Sequence, residues 1–436
     1  MVRITVRVDH PCCASPCGTV ERSFISRRAT AGGAVSRFLL ATLSYRLANG
    51  LLFLSVAWNL VRGSDNGAMS LAISSVGGLL PAVLIAPFAK RWIERADSRT
   101  LTLTGIALLL VLSLLFVPFL QQPVAVLGIN FALLLVFFLL EGAWDTLLAT
   151  IAVQLPQGQS DALNAHQSAA TQAGLMLGGL PLGLLIRLGG PALSFYVCAL
   201  LYAIAIALLL LPPRLARQVL GATVANTTDI ATLSPSVAPH GSATPWHVLV
   251  TLAMVWPCLT LVNMALPLLA HAYGNGTVEH AALLDAMIGL GMAFAGLAYG
   301  VFGRMTARQR QGVVLTCAAF IPLPFLLLQI AGYLLWPLAA CFFFSGVGFG
   351  LCRVSVRKAL IATQPAHRVG QIVFSCNAYG FPVLTVGALL YALSWASGPV
   401  VPLIAFAVFA FAGGCTMLAT CDAQRQIEVP VQATTT

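Results

Sequence analysis

Charge is what this sequence has least of. Only 8% of its 436 residues are Asp, Glu, Lys or Arg, while 59% are hydrophobic. Soluble domains carry about 25% charged residues, so this chain cannot cover a water-facing surface, and a soluble enzyme of this length is excluded. Lysine is nearly missing: Lys90 and Lys358 are the two lysines, and the net charge of +10 rests on arginine. In a polytopic membrane protein such an excess is an orientation signal, so no nucleic-acid partner is implied. The ten-residue alternating segments of a membrane β-barrel are absent. No G-x4-G-K-[ST] phosphate loop occurs, which argues against ATP hydrolysis, and no enzyme activity is expected. The seven His show no ligand spacing, so neither metal nor cofactor is expected. Most of the eleven cysteines stand singly in apolar segments, as Cys198, Cys258, Cys317, Cys341, Cys376 and Cys415 do, and read as small hydrophobes. Cys12, Cys13 and Cys17 beside His10 fit no usual zinc pattern.

What is present is a series of apolar blocks about 20 residues long, the length a helix needs to cross roughly 30 Å of hydrocarbon. Spans are expected at 38–61, 67–88, 101–120, 124–150, 167–188 and 191–211, then at 246–271, 280–303, 312–330, 332–351, 371–395 and 399–418. A polar stretch, 212–245, rich in Thr, Ser and Pro from 222 onward, separates the two sets and reads as a flexible linker. Residues 1–37 read as an unstructured cytoplasmic segment and 419–436 as a cytoplasmic tail. Two near-equal groups of six spans, 38–211 and 246–418, suggest two six-helix halves. With the N-terminus inside, twenty of the 23 basic residues fall on cytoplasmic segments, Arg62 and Arg187 fall outside, and Arg46 lies within the first span. That bias supports both the span count and two cytoplasmic termini.

Several motifs carry a family resemblance. The stretch 86–99 reads APFAKRWIERADSR and resembles the loop two-to-three signature of the major facilitator superfamily, in its variant from bacterial drug and siderophore exporters. Leu155-Pro156 ahead of Leu163-Asn164-Ala165 is similar to that subfamily's loop four-to-five pattern. The run 173–183, AGLMLGGLPLG, resembles the antiporter motif of helix five with its proline displaced, and Pro365 to Gly370 resembles the segment before helix eleven. Trp144-Asp145 is similar to a Trp-Asp pair of enterobactin-type exporters. The resemblance covers about residues 37–420. It implies an all-α membrane protein of twelve transmembrane helices in two pseudo-symmetric six-helix bundles, alternating access, and export. It also implies gating roles for Glu94, Arg95, Asp97 and Arg99.

Ionisable residues inside a bilayer are costly and are functional candidates by default. Arg46 lies about 12 Å from the inner end of span one, and Glu141 about 13 Å from the inner end of span four. Helices one and four line the central cavity of the resembled fold, so Arg46 and Glu141 are expected to meet and neutralise one another. Separating them would make the carboxylate a proton acceptor, which suits proton coupling; the competing reading is a static clamp between two helices. Asp145, one turn below Glu141 on the same face, is expected to fasten the gate through Arg95 or Arg99. Asp285, about 7 Å from the outer end of span eight, is expected to be an outer proton or cation site. Tyr45, Asn49, Asn263, Asn377 and Tyr379 are candidate substrate contacts, with interhelical hydrogen bonding as the rival role.

The sequence therefore points to a proton-coupled exporter of an amphipathic small molecule in the bacterial inner membrane, with a siderophore favoured over a hydrophobic drug. Its expected partners are cargo, protons and lipid, and it is expected to act as a monomer. A proton symporter importing a metal complex or nutrient is the alternative of the same fold, and a non-transporting sensor or anchor is the rival of another class.

Overall fold

The computed structural model describes residues 18–63, 66–95, 97–153, 155, 157–210, 246–273, 277–302, 327, 328, 330, 332–363 and 366–395. Among these residues every element is helical. Ten helices run in chain order: α1 Gly18–Gly63, α2 Gly67–Arg95, α3 Ser98–Phe119, α4 Pro123–Val153, α5 Gln157–Leu177, α6 Leu182–Leu210, α7 Trp246–Tyr273, α8 Val278–Phe302, α9 Leu335–Thr363 and α10 Ala366–Trp395. Five contain stretches long and apolar enough to cross a membrane: Val35–Gly63, Ser98–Phe119, Pro123–Ala152, Leu182–Leu210 and Val278–Ala298. Shorter apolar stretches lie at Gly67–Gly77, Leu259–Ala272, Leu335–Leu351 and Ala378–Leu393. The polar linker, the tail, the N-terminal cysteine cluster and the twelfth expected span fall outside the described residues, as does most of the ninth.

Helix is the natural spanning form because a helix satisfies its own backbone hydrogen bonds where no water can. The same property explains where the observed bounds depart from expectation. The first helix begins at Gly18, twenty residues before the expected start, so the segment read as unstructured is helical from that point. Likewise α2 runs on to Arg95, α5 starts at Gln157 and α9 continues to Thr363. Apolar composition marks the stretch suited to hydrocarbon only; once a helix is nucleated, adding residues is cheap, so the helices run past those stretches.

Local chemistry sets the boundaries. Asp97 caps α3, accepting from the Thr100 amide at 3.0 Å and the Thr100 hydroxyl at 2.8 Å. Between α5 and α6, Pro181 has no N–H to give the Leu177 carbonyl, which accepts instead from Leu180 at 3.1 Å. Tight turn bonds carry the chain into Leu182, and the helical path breaks at Gly189–Gly190, where Gly190 has φ 73°, a conformation glycine adopts without penalty. This lies between the expected ends of spans five and six.

Helix packing follows a twofold pattern. Within the first half, α1 packs on α5 and α6, α3 on α4 and α6, and α2 on α4; within the second, α8 packs on α9 and α7 on α10. Two broad contacts join the halves, α5 with α8 and α2 with α10. The last of these helices holds the eleventh apolar span of the sequence. The contacts are thus five with eight and two with eleven, and advancing each member by six places converts one into the other.

The α5–α8 contact is a deep antiparallel seam built on small residues. Gly183 sits beside the Glu279 side chain, Gly179 beside Asp285, Gly289 against Met176 and the Gln172 carbonyl, and Gly296 against Ala169. From Glu279 to Gly296 is about 26 Å along α8, most of the hydrocarbon thickness. At the end expected to face outward, Arg187 and Glu279 form an ion pair, both partly exposed, and Trp58 of α1 meets His271 of α7 with ring centroids 6.3 Å apart. An exposed pair is worth at most about 1 kcal/mol. Arg187→Gln is therefore expected to raise the population with separated outer ends by up to about fivefold. Spin-label distances between the outer ends of α6 and α8 would measure it, and an unchanged distribution would remove the pair as a latch.

Candidate substrate cavity and buried ion pair

The helix packing leaves a cavity between the halves with about 210 Å³ open to water centres. It is lined from α1, α2, α4, α5, α7 and α8. Its walls are mostly apolar, with Phe53, Phe137, Phe138, Met176 and Met264 prominent. Phe53 and Phe137 meet edge to face at 5.1 Å. On the α2–α4 side, Asn130 donates to the Ser74 hydroxyl at 2.9 Å, which ties two lining residues together.

The remaining polar lining is less well satisfied. Gln172 of α5 is 2% exposed, and neither atom of its amide has a hydrogen-bond partner. The Oδ1 of Asn263 on α7 is buried and unpartnered as well. Asp285 of α8 lines the same space, and among the described residues no ion pair reaches it. Buried polar groups are nearly always hydrogen-bonded, so two unpartnered amides beside a carboxylate mark a place where a ligand or water completes the bonding.

One turn inward lies the ion pair. Gly50 and Phe137 border the cavity, and Arg46 and Glu141 are four residues inward from them on α1 and α4. The guanidinium grips the carboxylate with both Nη atoms, Nη2 to Oε2 at 3.0 Å. The arginine side chain is 2% exposed and the glutamate 19%. The guanidinium carbon lies 4.9 Å from the Tyr45 ring centroid and 5.9 Å from that of Phe137, distances at which a cation is attracted to an aromatic face. The equal depths expected of Arg46 and Glu141 thus correspond to a bidentate contact.

Other expected site residues have different surroundings. Tyr45 stacks on Trp144 at 4.9 Å, and Trp144 stacks on Phe38 at 5.6 Å. Asn49 accepts from the Tyr202 hydroxyl at 2.6 Å. Neither Tyr45 nor Asn49 borders the cavity; both pack between α1 and its neighbours, and this geometry does not support them as substrate contacts. Trp144 is fully buried in that aromatic stack. Tyr379 on α10 is 75% exposed and away from the cavity lining. Of that group, Asn263 alone is in the lining, since the Asn377 side chain lies outside what the structure describes. So do the side chains of Glu94 and Arg95. Asp97 is the helix cap already noted, and Arg99 does not meet Asp145: its Nη2 donates to the Leu209 carbonyl at 2.7 Å, satisfying the end of α6. Asp145 lies one turn inward of Glu141, close enough to add to the field at Arg46. Gln172 escapes a reading of the sequence because nothing but its position distinguishes it from Gln167, five residues earlier, which bonds to Thr171 at 3.2 Å. No cluster of three metal-ligating side chains occurs among the described residues.

A mostly apolar cavity with a few polar groups, set between two pseudo-symmetric helix bundles and one turn from a buried ion pair, is the arrangement expected of a membrane carrier. The chain belongs to the Major Facilitator Superfamily, whose sequence profile matches residues 38–388, and it is accordingly a membrane transporter. Its fold is similar to that of the human organic anion transporter MFSD10 (TETRAN), at 15% identity and TM-score 0.60, over 89% of this chain and 99% of that one. It is similar also to a peptide transporter POT solved in complex with sulfate, at 15% identity and TM-score 0.62, over 90% and 94%. No curated protein matches the sequence.

Proposed function

We propose that this transporter is a proton-coupled exporter of an amphipathic small molecule, of the siderophore or hydrophobic-drug class, working by alternating access in the bacterial inner membrane with both termini cytoplasmic. The observation that carries the reading is the buried Arg46–Glu141 pair, one turn from a cavity that Asp285 lines together with the unpartnered polar atoms of Gln172 and Asn263. A carboxylate held by a cation stays charged at depth, and one parted from its cation in a dry site takes up a proton. A rearrangement of α1 against α4 that opens the pair would load Glu141, and re-forming the pair would discharge it. Asp285, nearer the outside, would receive the proton first. Export is favoured by the resemblance of 173–183 to the antiporter motif; the glycines of that run pack span five onto α1 and α8.

The test is proton flux in proteoliposomes. Glu141→Gln, reconstituted to the wild-type level, is expected to lose proton-coupled cargo movement by about a hundredfold, the lower end of what a positioned proton-transfer group contributes. Undiminished coupled transport by that variant would reduce the pair to a structural clamp.

A further inference from the structure

The chemistry of the cavity sorts the possible cargo by charge. Among the described residues that line it, Asp285 is the one charged group, and no Lys, Arg or His is present. The buried guanidinium of Arg46 is held by Glu141 and shielded by Tyr45 and Phe137, and it does not border the space. Two further groups present lone pairs: the unpartnered Oδ1 of Asn263 and the unpartnered amide of Gln172, whose oxygen accepts. Phe53, Phe137 and Phe138 line the wall, and aromatic faces attract cations and repel anions. An anionic chelator entering here would meet a carboxylate and no counter-charge, a costly arrangement at low dielectric.

Placement along the helices adds a shape. Asp285 Oδ2 lies 3.7 Å from where a Cβ on Gly179 would stand, and Gly289, one turn inward on α8, abuts Met176 and the Gln172 carbonyl. The carboxylate is thus near the outer part of the cavity and the free amide about one to two turns deeper, 5 to 10 Å away along the axis. A molecule that bonds to both is elongated, with an apolar body against the phenylalanines of the same wall.

From these observations we infer that the cavity is a binding site for an amphipathic organic cation, whose positive group pairs with Asp285 while Gln172 and Asn263 bond to its polar remainder. The inference rests on the transport reading and narrows it, away from anionic siderophores and toward hydrophobic amines or onium compounds. The cation and a proton exchange on the same carboxylate: as one binds the other leaves, and charge balances.

The test uses two probes of near-identical size and opposite charge, tetraphenylphosphonium and tetraphenylborate, titrated into the purified full-length protein in detergent. The wild type is expected to bind the phosphonium at least tenfold tighter than the borate. Asp285→Asn is expected to weaken phosphonium binding at least tenfold and erase the preference, while Asp285→Glu keeps it. Thermal unfolding of each variant shows that it is folded. Equal binding of both ions, preference for the borate, binding of neither, or an undiminished preference in Asp285→Asn would each overturn the inference. Proton-coupled movement measured separately in liposomes distinguishes the failures. A wild type that prefers the borate yet couples cargo to protons loses only the cation site, and one that prefers the phosphonium with no coupling keeps the cation site but loses the exchange at Asp285 and the proton mechanism at Glu141.

Discussion

Arg46→Met alone is expected to lower the stability of the folded protein by about 3–5 kcal/mol, the cost of leaving one member of a buried pair unpaired. Adding Glu141→Leu is expected to return most of that loss. Arg46 is held in place from three sides, by a bidentate carboxylate and two aromatic rings. Its removal leaves Glu141 facing those rings with no cation, and the lost packing of its long stem adds to the cost. Replacing both charges by apolar groups of similar volume removes the desolvation penalty together with the attraction, and such exchanges are often neutral. Denaturant unfolding in detergent of the wild type, both single variants and the double variant gives the coupling energy directly. A value near zero would mean that the two charges are solvated independently and that the pair does not hold α1 to α4. The double variant also separates structure from mechanism, because it is expected to fold and yet to lose the proton step at Glu141.

The second large effect lies at the α1–α5 contact. Gly178→Leu is expected to abolish correctly folded protein, while Gly33→Ala is expected to change stability by no more than about 0.5 kcal/mol. A Cβ on Gly178 would run into the Leu47 carbonyl and come within 2.9 Å of the Leu51 amide; on Gly174 it would stand 2.6 Å from Arg46 Cβ. The obstacles are largely backbone, so no side-chain rotation relieves them, and the two helices would have to part. Overpacking commonly costs about 1–3 kcal/mol when side chains can shift; with backbone in the way the cost is larger, and separation would also pull Arg46 from Glu141. At Gly33 nothing lies within 4 Å of the place a methyl group would take. Size-exclusion profiles and unfolding midpoints compare the two variants. A monodisperse Gly178→Leu protein with an unchanged midpoint would show that the contact opens at little cost.

The spans are legible because hydrocarbon thickness imposes a length on apolar runs, and the depth of Arg46 matches that of Glu141 because both are counted from the same membrane face. What stays hidden is rotation about each helix axis. Asn49 lies one turn from Arg46 and is expected beside the cargo, yet a helix face does not say whether its neighbour is a cavity or another helix; here Tyr202 is the neighbour. Tyr379 has the same ambiguity, since an amphipathic residue in span eleven can point outward, as it does at 75% exposure. Gln172 is uncharged and stands just outside the motif run 173–183, so its unsatisfied amide becomes visible only with the helices assembled. Asp97 and Arg99 belong to a motif whose charges suggest a gate, and both are engaged in capping helix ends. Side chains that serve local backbone groups cannot be told from long-range partners by spacing alone.

The Arg46–Glu141 pair has an electrical consequence. Moving one elementary charge through the membrane potential involves about 2.3 kcal/mol per 100 mV. A guanidinium locked to a carboxylate carries no net charge, so a rocking first half can take the pair through the field without electrical work. The voltage then acts on the proton and the cargo alone. If Asp285 exchanges one proton for one monovalent cation, the exchange is electroneutral and the pH difference is its whole driving force, whereas a neutral cargo would make each cycle carry current.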